Sequence, residues 1–181
     1  MASSASVVLV TENDEPLGTA EKLRAHREGL LHRAFSVFLF DEKSRLLLQQ
    51  RADDKYHSGG LWSNTCCSHP RPGESPEEAA HRRLPEEMGF DAGITPAFEK
   101  MYRLSVGDTL VEHEYDHVFV GTVSDPAVRP NPDEVADWAW VQPGELRDDV
   151  AARPQRYTSW FRILLDPALD HSPTDTVPPV G

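Results

Sequence analysis

The amino-acid sequence predicts an α/β or α+β sandwich, a mixed β-sheet flanked by helices in a single domain. Three observations lead there: apolar runs of strand length recur along the chain, one central stretch carries both caps of a helix, and the C-terminal region is amphipathic at helical period. The 181 residues, 39% of them hydrophobic, suit one globular domain. No internal repeat or low-complexity tract marks out a second.

Residues 1–6 are small and polar and read as disordered, and Val7 to Val10 reads as a strand. Asn13, Asp14, Pro16 and Gly18 signal a turn, and the pattern from Thr19 to Arg27 is helical, with Thr19 as N-cap and Leu23 inward. Two strands, His32 to Phe40 and Leu46 to Arg51, form a hairpin about Asp41 to Ser44. A polar loop from Asp53 to Gly60 leads to a short strand, Leu61 to Cys66.

The central helix has the clearest local grammar. Ser75 is its N-cap, Pro76 its first residue, Glu78 completes a capping box, and Gly89 supplies the stop. Ala79, Ala80, Leu84 and Met88 face the core, leaving Arg82, Glu86 and Glu87 to point elsewhere. Pro85 removes an interior backbone bond at a cost of about 3 kcal/mol, which predicts a kink or a shortened helix. Strands follow at Ile94 to Ser105, Thr109 to Val123 and Val135 to Val141. Helices at Pro143 to Ala151 and Tyr157 to Leu165 come next, the second containing Trp160. The domain is expected over residues 7–168, with a disordered Pro-rich tail over 169–181.

Composition narrows the function classes. No stretch approaches the ~18 apolar residues of a membrane span, and the N-terminus lacks the regions of a signal peptide. A cytoplasmic location is the expectation, and the adjacent Cys66 and Cys67 make no disulfide framework. A formal net charge of −12 argues against nucleic acid as a partner. An acidic chain that handles an anion must gather its positive charge locally. Nothing in the sequence sets an oligomeric state.

Five possible metal ligands stand out: His26, His32, His69, Glu112 and Glu114. Alternation in an extended run puts Glu112 and Glu114 on one face of the sheet. Three imidazoles with carboxylates suit Mn²⁺, Mg²⁺ or Zn²⁺. Taken singly, each histidine also reads as surface or satisfied core, and the glutamate pair as a solvated strand face. Cys67 is either a small buried hydrophobe or, with His69 two residues on and positive charge nearby, a thiolate; Cys66 should point the other way.

The stretch from Ser68 to Phe90 resembles the Nudix box. Aligned from its C-terminal end, Glu74, Arg82, Leu84, Glu86, Glu87, Gly89 and Phe90 fall on the motif's positions. Ser68 stands where the motif has Gly, and Arg83 where it has Glu. Replacing a metal-holding glutamate by arginine disfavours hydrolysis while leaving diphosphate binding open.

With AHREGLLHRAF, NTCCSHP and VEHEYDHVF in order around that box, residues 5–165 are similar to type I isopentenyl-diphosphate isomerases. The resemblance implies a Nudix-like fold and conversion of isopentenyl diphosphate to dimethylallyl diphosphate. It implies one divalent metal at His26, His32, His69, Glu112 and Glu114, and Glu87 helping to bind a Mg²⁺ that accompanies the substrate. Lys22, Arg51, Lys55 and Arg83 match positions that meet the diphosphate. Cys67 and Glu114 match the catalytic pair, Tyr102 a partner orienting the glutamate, and Trp160 an aromatic lining the hydrocarbon pocket. His57, His113 and His117 match no site position. Two other readings stay open here: a Nudix hydrolase of a nucleoside diphosphate derivative, and a non-catalytic diphosphate-binding module.

Overall fold

A computed structural model describes residues 5–173. The organising strand is β3 (His32–Asp41), whose residues are almost all buried. Its side chains alternate between two cores, which is why it reads as a continuous apolar run. Phe38 and Phe40 enter one core; Phe35, Val37 and Leu39 enter the other.

Around β3 the described residues build a nine-stranded mixed sheet. β1 (Ser6–Val10) and β2 (Pro16–Glu21) form a hairpin that reaches β3 through Leu9 and His32. The helix α1 (Lys22–Glu28) separates that hairpin from β3. β4 (Leu46–Arg51) turns back from β3, and β5 (Trp62–Ser63) pairs with β4. β6 (Cys66–Ser68) lies antiparallel on β3 and leads into the helix α2 (Pro76–Met88). β7 (Thr95–Val106) and β8 (Leu110–Val123) form a long hairpin, and β8 runs parallel to β3 from His32 opposite Glu114 to Asp41 opposite Val123. β9 (Val135–Val141) closes on β4. α3 (Pro143–Ala152), a 3₁₀ turn and α4 (Ser159–Asp170) are the last elements among the described residues.

The α4 helix covers one face of the sheet: Trp160, Phe161, Leu164 and Leu165 pack on Phe38, Phe40, Val118 and Val120. Phe161 is fully buried and stacks with Phe38 at 6.2 Å, a burial worth roughly 1.5–3 kcal/mol. The α2 helix covers the opposite face through Ala79, Ala80 and Leu84. Its capping box is complete: the Glu78 amide donates to Ser75 Oγ at 3.1 Å and the Ser75 amide to Glu78 Oε2 at 2.8 Å. Gly89 ends it at φ 81°, where a side chain would strike the Arg129 carbonyl at 2.3 Å.

Several expectations need correction. The helix expected from Thr19 starts at Lys22, because Pro16–Glu21 pairs with β1 and the β-branched Thr19 serves that strand. Glu21 caps it instead, accepting from the Leu23 and Arg24 amides at 3.0 Å. The strand expected over 61–66 is broken at Asn64 and Thr65, whose side chains bond to backbone while the chain crosses from β4 to β3. Pro85 neither ends nor shortens α2, since it lies on the exposed face where its ring displaces no packed neighbour. Glu87, expected to point away from the core side, is buried. The tail expected from residue 169 begins inside α4, where Leu169 is buried; Ser6, expected in a disordered start, opens β1. Residues 1–4 and 174–181 lie outside the described residues. Among the described residues no helix is long and apolar enough to cross a membrane.

Candidate active site and metal centre

The sheet face that α4 covers turns polar at one end. On β8, Glu112, Glu114 and Asp116 continue the alternation of Val118 and Val120, and all three are buried. The parallel register sets His32 beside Glu114, and the β7–β8 hairpin sets Tyr102 there as well. His26 arrives from the last turn of α1, and His69 follows β6.

These elements bring five donors together: one ligand atom from each of His26, His32, His69, Glu112 and Glu114 lies within 4.8 Å of the others. His26 Nε2 is 3.2 Å from Glu112 Oε1, and His32 Nε2 is 3.3 Å from Glu114 Oε1. His69 Nε2 is 2.9 Å from that same Glu114 oxygen. The outer nitrogens are already engaged, His26 Nδ1 with the Lys22 carbonyl at 2.7 Å and His32 Nδ1 with the Leu30 carbonyl at 2.8 Å. Donation there directs a Nε2 lone pair inward, and both Nε2 atoms are buried without a hydrogen-bond partner. Two orphaned imidazole nitrogens converging on two carboxylates fit a divalent cation.

Charge is distributed unevenly within the cluster. Burial opposes ionisation of Glu114, but hydrogen bonding with Glu112, His32 and His69 outweighs it and holds the carboxyl well below the usual range. Burial and the Glu114 charge push Glu112 up to about 7. Burial holds His69 down to about 3. Behind Glu114, the Tyr102 hydroxyl lies 2.7 Å from Glu114 Oε2 and 2.9 Å from Asp116 Oδ2, and Ser36 Oγ donates to Asp116 Oδ2 at 2.8 Å.

A cavity of about 190 Å³ opens in front of this cluster. Cys67 lines it because β6 pairs Cys67 with Ser36, on the site face, and Cys66 with Val37, on the α2 face. Of the two readings of Cys67, the thiolate is not favoured: burial pushes the thiol up to about 12, and the opposing pull of Arg51 is smaller. The positive charge an acidic chain must gather is here, in Lys22, Arg51, Lys55 and Arg83. Lys22 is lowered by burial and then by Lys55 and Arg51, which shows how closely the cations crowd. Arg83 occupies the altered box position, 3.7 Å from Glu87 and 3.4 Å from Glu134. Trp160 walls the cavity, with the Arg51 guanidinium 5.3 Å above its ring.

The structure therefore places every expected site residue in or directly behind one cavity. It also adds His57, Tyr56, Ser36, Asp116 and Glu134. Asp116 was signalled by the period-two spacing after Glu112 and Glu114. Glu134, which pairs with Lys55, carries no local signal, because its place depends on β9 closing against β4.

The NUDIX domain family matches residues 30–161. A crystal structure of DR0079 from Deinococcus radiodurans superposes with a TM-score of 0.73, at 20% identity, over 89% of this chain and 97% of that one, which shows the shared fold. Fold and matched segment make this a NUDIX-domain protein. Isopentenyl-diphosphate Delta-isomerase 2 of Aromatoleum aromaticum is 55% identical over 160 residues, covering 88% of this chain and 84% of its own. The isopentenyl-diphosphate Delta-isomerases of Pectobacterium atrosepticum and Streptomyces avermitilis are 52% and 53% identical, with 87% and 88% of this chain covered and 87% and 81% of theirs. The chain belongs to the isopentenyl-diphosphate Delta-isomerase family.

Proposed function

We infer that the chain isomerises isopentenyl diphosphate to dimethylallyl diphosphate, the activity named for its relatives. One observation carries the reading from this chain's own residues: Cys67 and Glu114 open into the same cavity, with four cations and an aromatic wall around them. Moving the double bond adds a proton at one carbon and removes one from another, through a tertiary, cation-like state. Two proton-exchanging groups are required, and the Cys67 thiol and Glu114 carboxyl supply them. The Tyr102 hydroxyl, 2.7 Å from Glu114 Oε2, fixes the carboxyl's orientation.

Lys22, Arg51, Lys55 and Arg83 bind the diphosphate and set the hydrocarbon end toward Trp160. The Trp160 face stabilises the developing cation, worth up to about 2 kcal/mol in a desolvated site. Excluding water from the occupied site would protect that cation. His26, His32, His69, Glu112 and Glu114 would hold Mn²⁺, Mg²⁺ or Zn²⁺, and Glu87 a Mg²⁺ brought with the diphosphate; bound there, these ions supply positive charge that fixes the carboxylates and offsets the phosphates. A cytoplasmic location belongs to the same reading, supported by two free cysteines. So does a small-molecule partner rather than nucleic acid, supported by the charge of −12.

The test is an NMR assay with isopentenyl diphosphate and Mg²⁺ in deuterated water, with Mn²⁺ in a parallel tube. Dimethylallyl diphosphate carrying deuterium is the expected product. No product from folded, metal-loaded protein overturns the reading, and phosphate release in its place would indicate hydrolysis.

A further inference from the structure

The loop between β4 and β5 puts a histidine into the site that no motif position requires. His57 Nε2 lies 2.7 Å from Glu112 Oε1, and only 6% of the His57 side chain is exposed. His26 Nε2 approaches the same oxygen at 3.2 Å, so two imidazoles converge on one carboxylate oxygen. The His57 ring also meets Trp160 edge-on at 5.9 Å and Tyr56 at 4.6 Å.

The backbone fixes this placement. The His57 carbonyl accepts from Arg51 Nη2 at 3.3 Å, Ser58 Oγ sits 3.1 Å from His57 Nδ1, and the Gly60 amide donates to the Arg51 carbonyl at 3.0 Å. At Gly59 a Cβ would fall 2.5 Å from the Asp53 carbonyl oxygen, so the loop closes in this form only with glycine there. His57 is not among the five mutually close donors. It stands beside one of them on the cavity wall.

We propose that His57 is a positioning residue that fixes the Glu112 carboxylate for the metal centre and ties it to the Trp160 wall of the substrate cavity. The inference rests on the metal centre proposed above. An imidazole nitrogen 2.7 Å from a carboxylate oxygen limits how that oxygen can turn toward the cation, and partners of this kind typically change metal affinity or activity by 10- to 100-fold when removed. The edge contact with Trp160 gives His57 a second task, because the same ring walls the hydrocarbon end.

The experiment compares Mn²⁺ affinity of the full chain without substrate, read by electron paramagnetic resonance of the free ion. His57→Phe keeps a ring against Trp160 and removes the N–H; His57→Gln keeps an N–H donor. His57→Phe should bind Mn²⁺ roughly 10- to 100-fold more weakly, with kcat falling more than KM changes, and His57→Gln should restore most of the affinity. Wild-type affinity in His57→Phe, or failure of His57→Gln to recover any, overturns the role of His57. A wild-type chain that binds no Mn²⁺ overturns the metal centre itself and this inference with it. Isomerase activity of the wild type is read separately, so failure of the functional reading is distinguishable from both.

Discussion

The Cys66 thiol donates to Glu87 Oε2 at 2.6 Å, and both side chains are buried. Neighbouring cysteines thus serve opposite faces of β6, one reaching the substrate cavity and the other the end of α2. Cys66→Ala leaves a buried carboxylate short of a donor and should cost about 1–3 kcal/mol. Cys66→Ser should recover most of it. Urea unfolding midpoints of the two variants check this, and a Cys66→Ala midpoint equal to wild type would mean that Arg83 suffices to hold Glu87.

Cys67 lines the cavity without a structural bond of the kind Cys66 makes. Cys67→Ala should therefore fold normally and lose at least ~100-fold in turnover, the usual scale for a proton-transferring group. Turnover close to wild type in the deuterium-exchange assay would remove Cys67 from the mechanism.

A cation at the proposed five-donor centre would require α1, β3, β6 and β8 to be assembled. A cation held at 100 times its dissociation constant stabilises the folded chain by about 2.7 kcal/mol. Calorimetric melting should accordingly shift upward with Mn²⁺ and return when a chelator is added. Glu114→Gln should blunt the shift; an unchanged shift in that variant would place the bound ion elsewhere.

Acid should act through Glu74 and Arg82, which pair bidentately at 2.8 Å for both bonds. Hydrogen bonding from Arg82 holds the Glu74 carboxyl below its ordinary value. A depressed carboxyl stabilises the fold above its unfolded pKa, about 4.3, and that contribution is lost as pH falls through the lower folded value. Glu74→Gln should lie about 1–2 kcal/mol below wild type at pH 7. The gap should narrow below about pH 4. A gap independent of pH would show that the pair contributes no charge-dependent stability.

Features written in local chemistry were legible in the sequence. The capping box at Ser75, the apolar run of β3 and the alternation of Glu112 with Glu114 each follow from residues within a few positions. What was not legible depends on which strand lies alongside. Thr19 is compatible with a helix until β1 offers a ladder, and nothing near Asn64 shows that its side chain will bond the Val37 carbonyl. Arg83 was legible as a departure from the box, and the structure sets it between Glu87 and Glu134. His57 was passed over because its meaning comes from Glu112, on a strand far along the chain.

The parallel pairing of β3 with β8 has a kinetic consequence. His32 cannot meet Glu114 until the long intervening segment, with its own hairpin and helix, has been folded out of the way. Such distant contacts form slowly, so the centre should be completed late in folding. An ion bound there would then hardly hasten folding, and would act chiefly by slowing the escape from the native state.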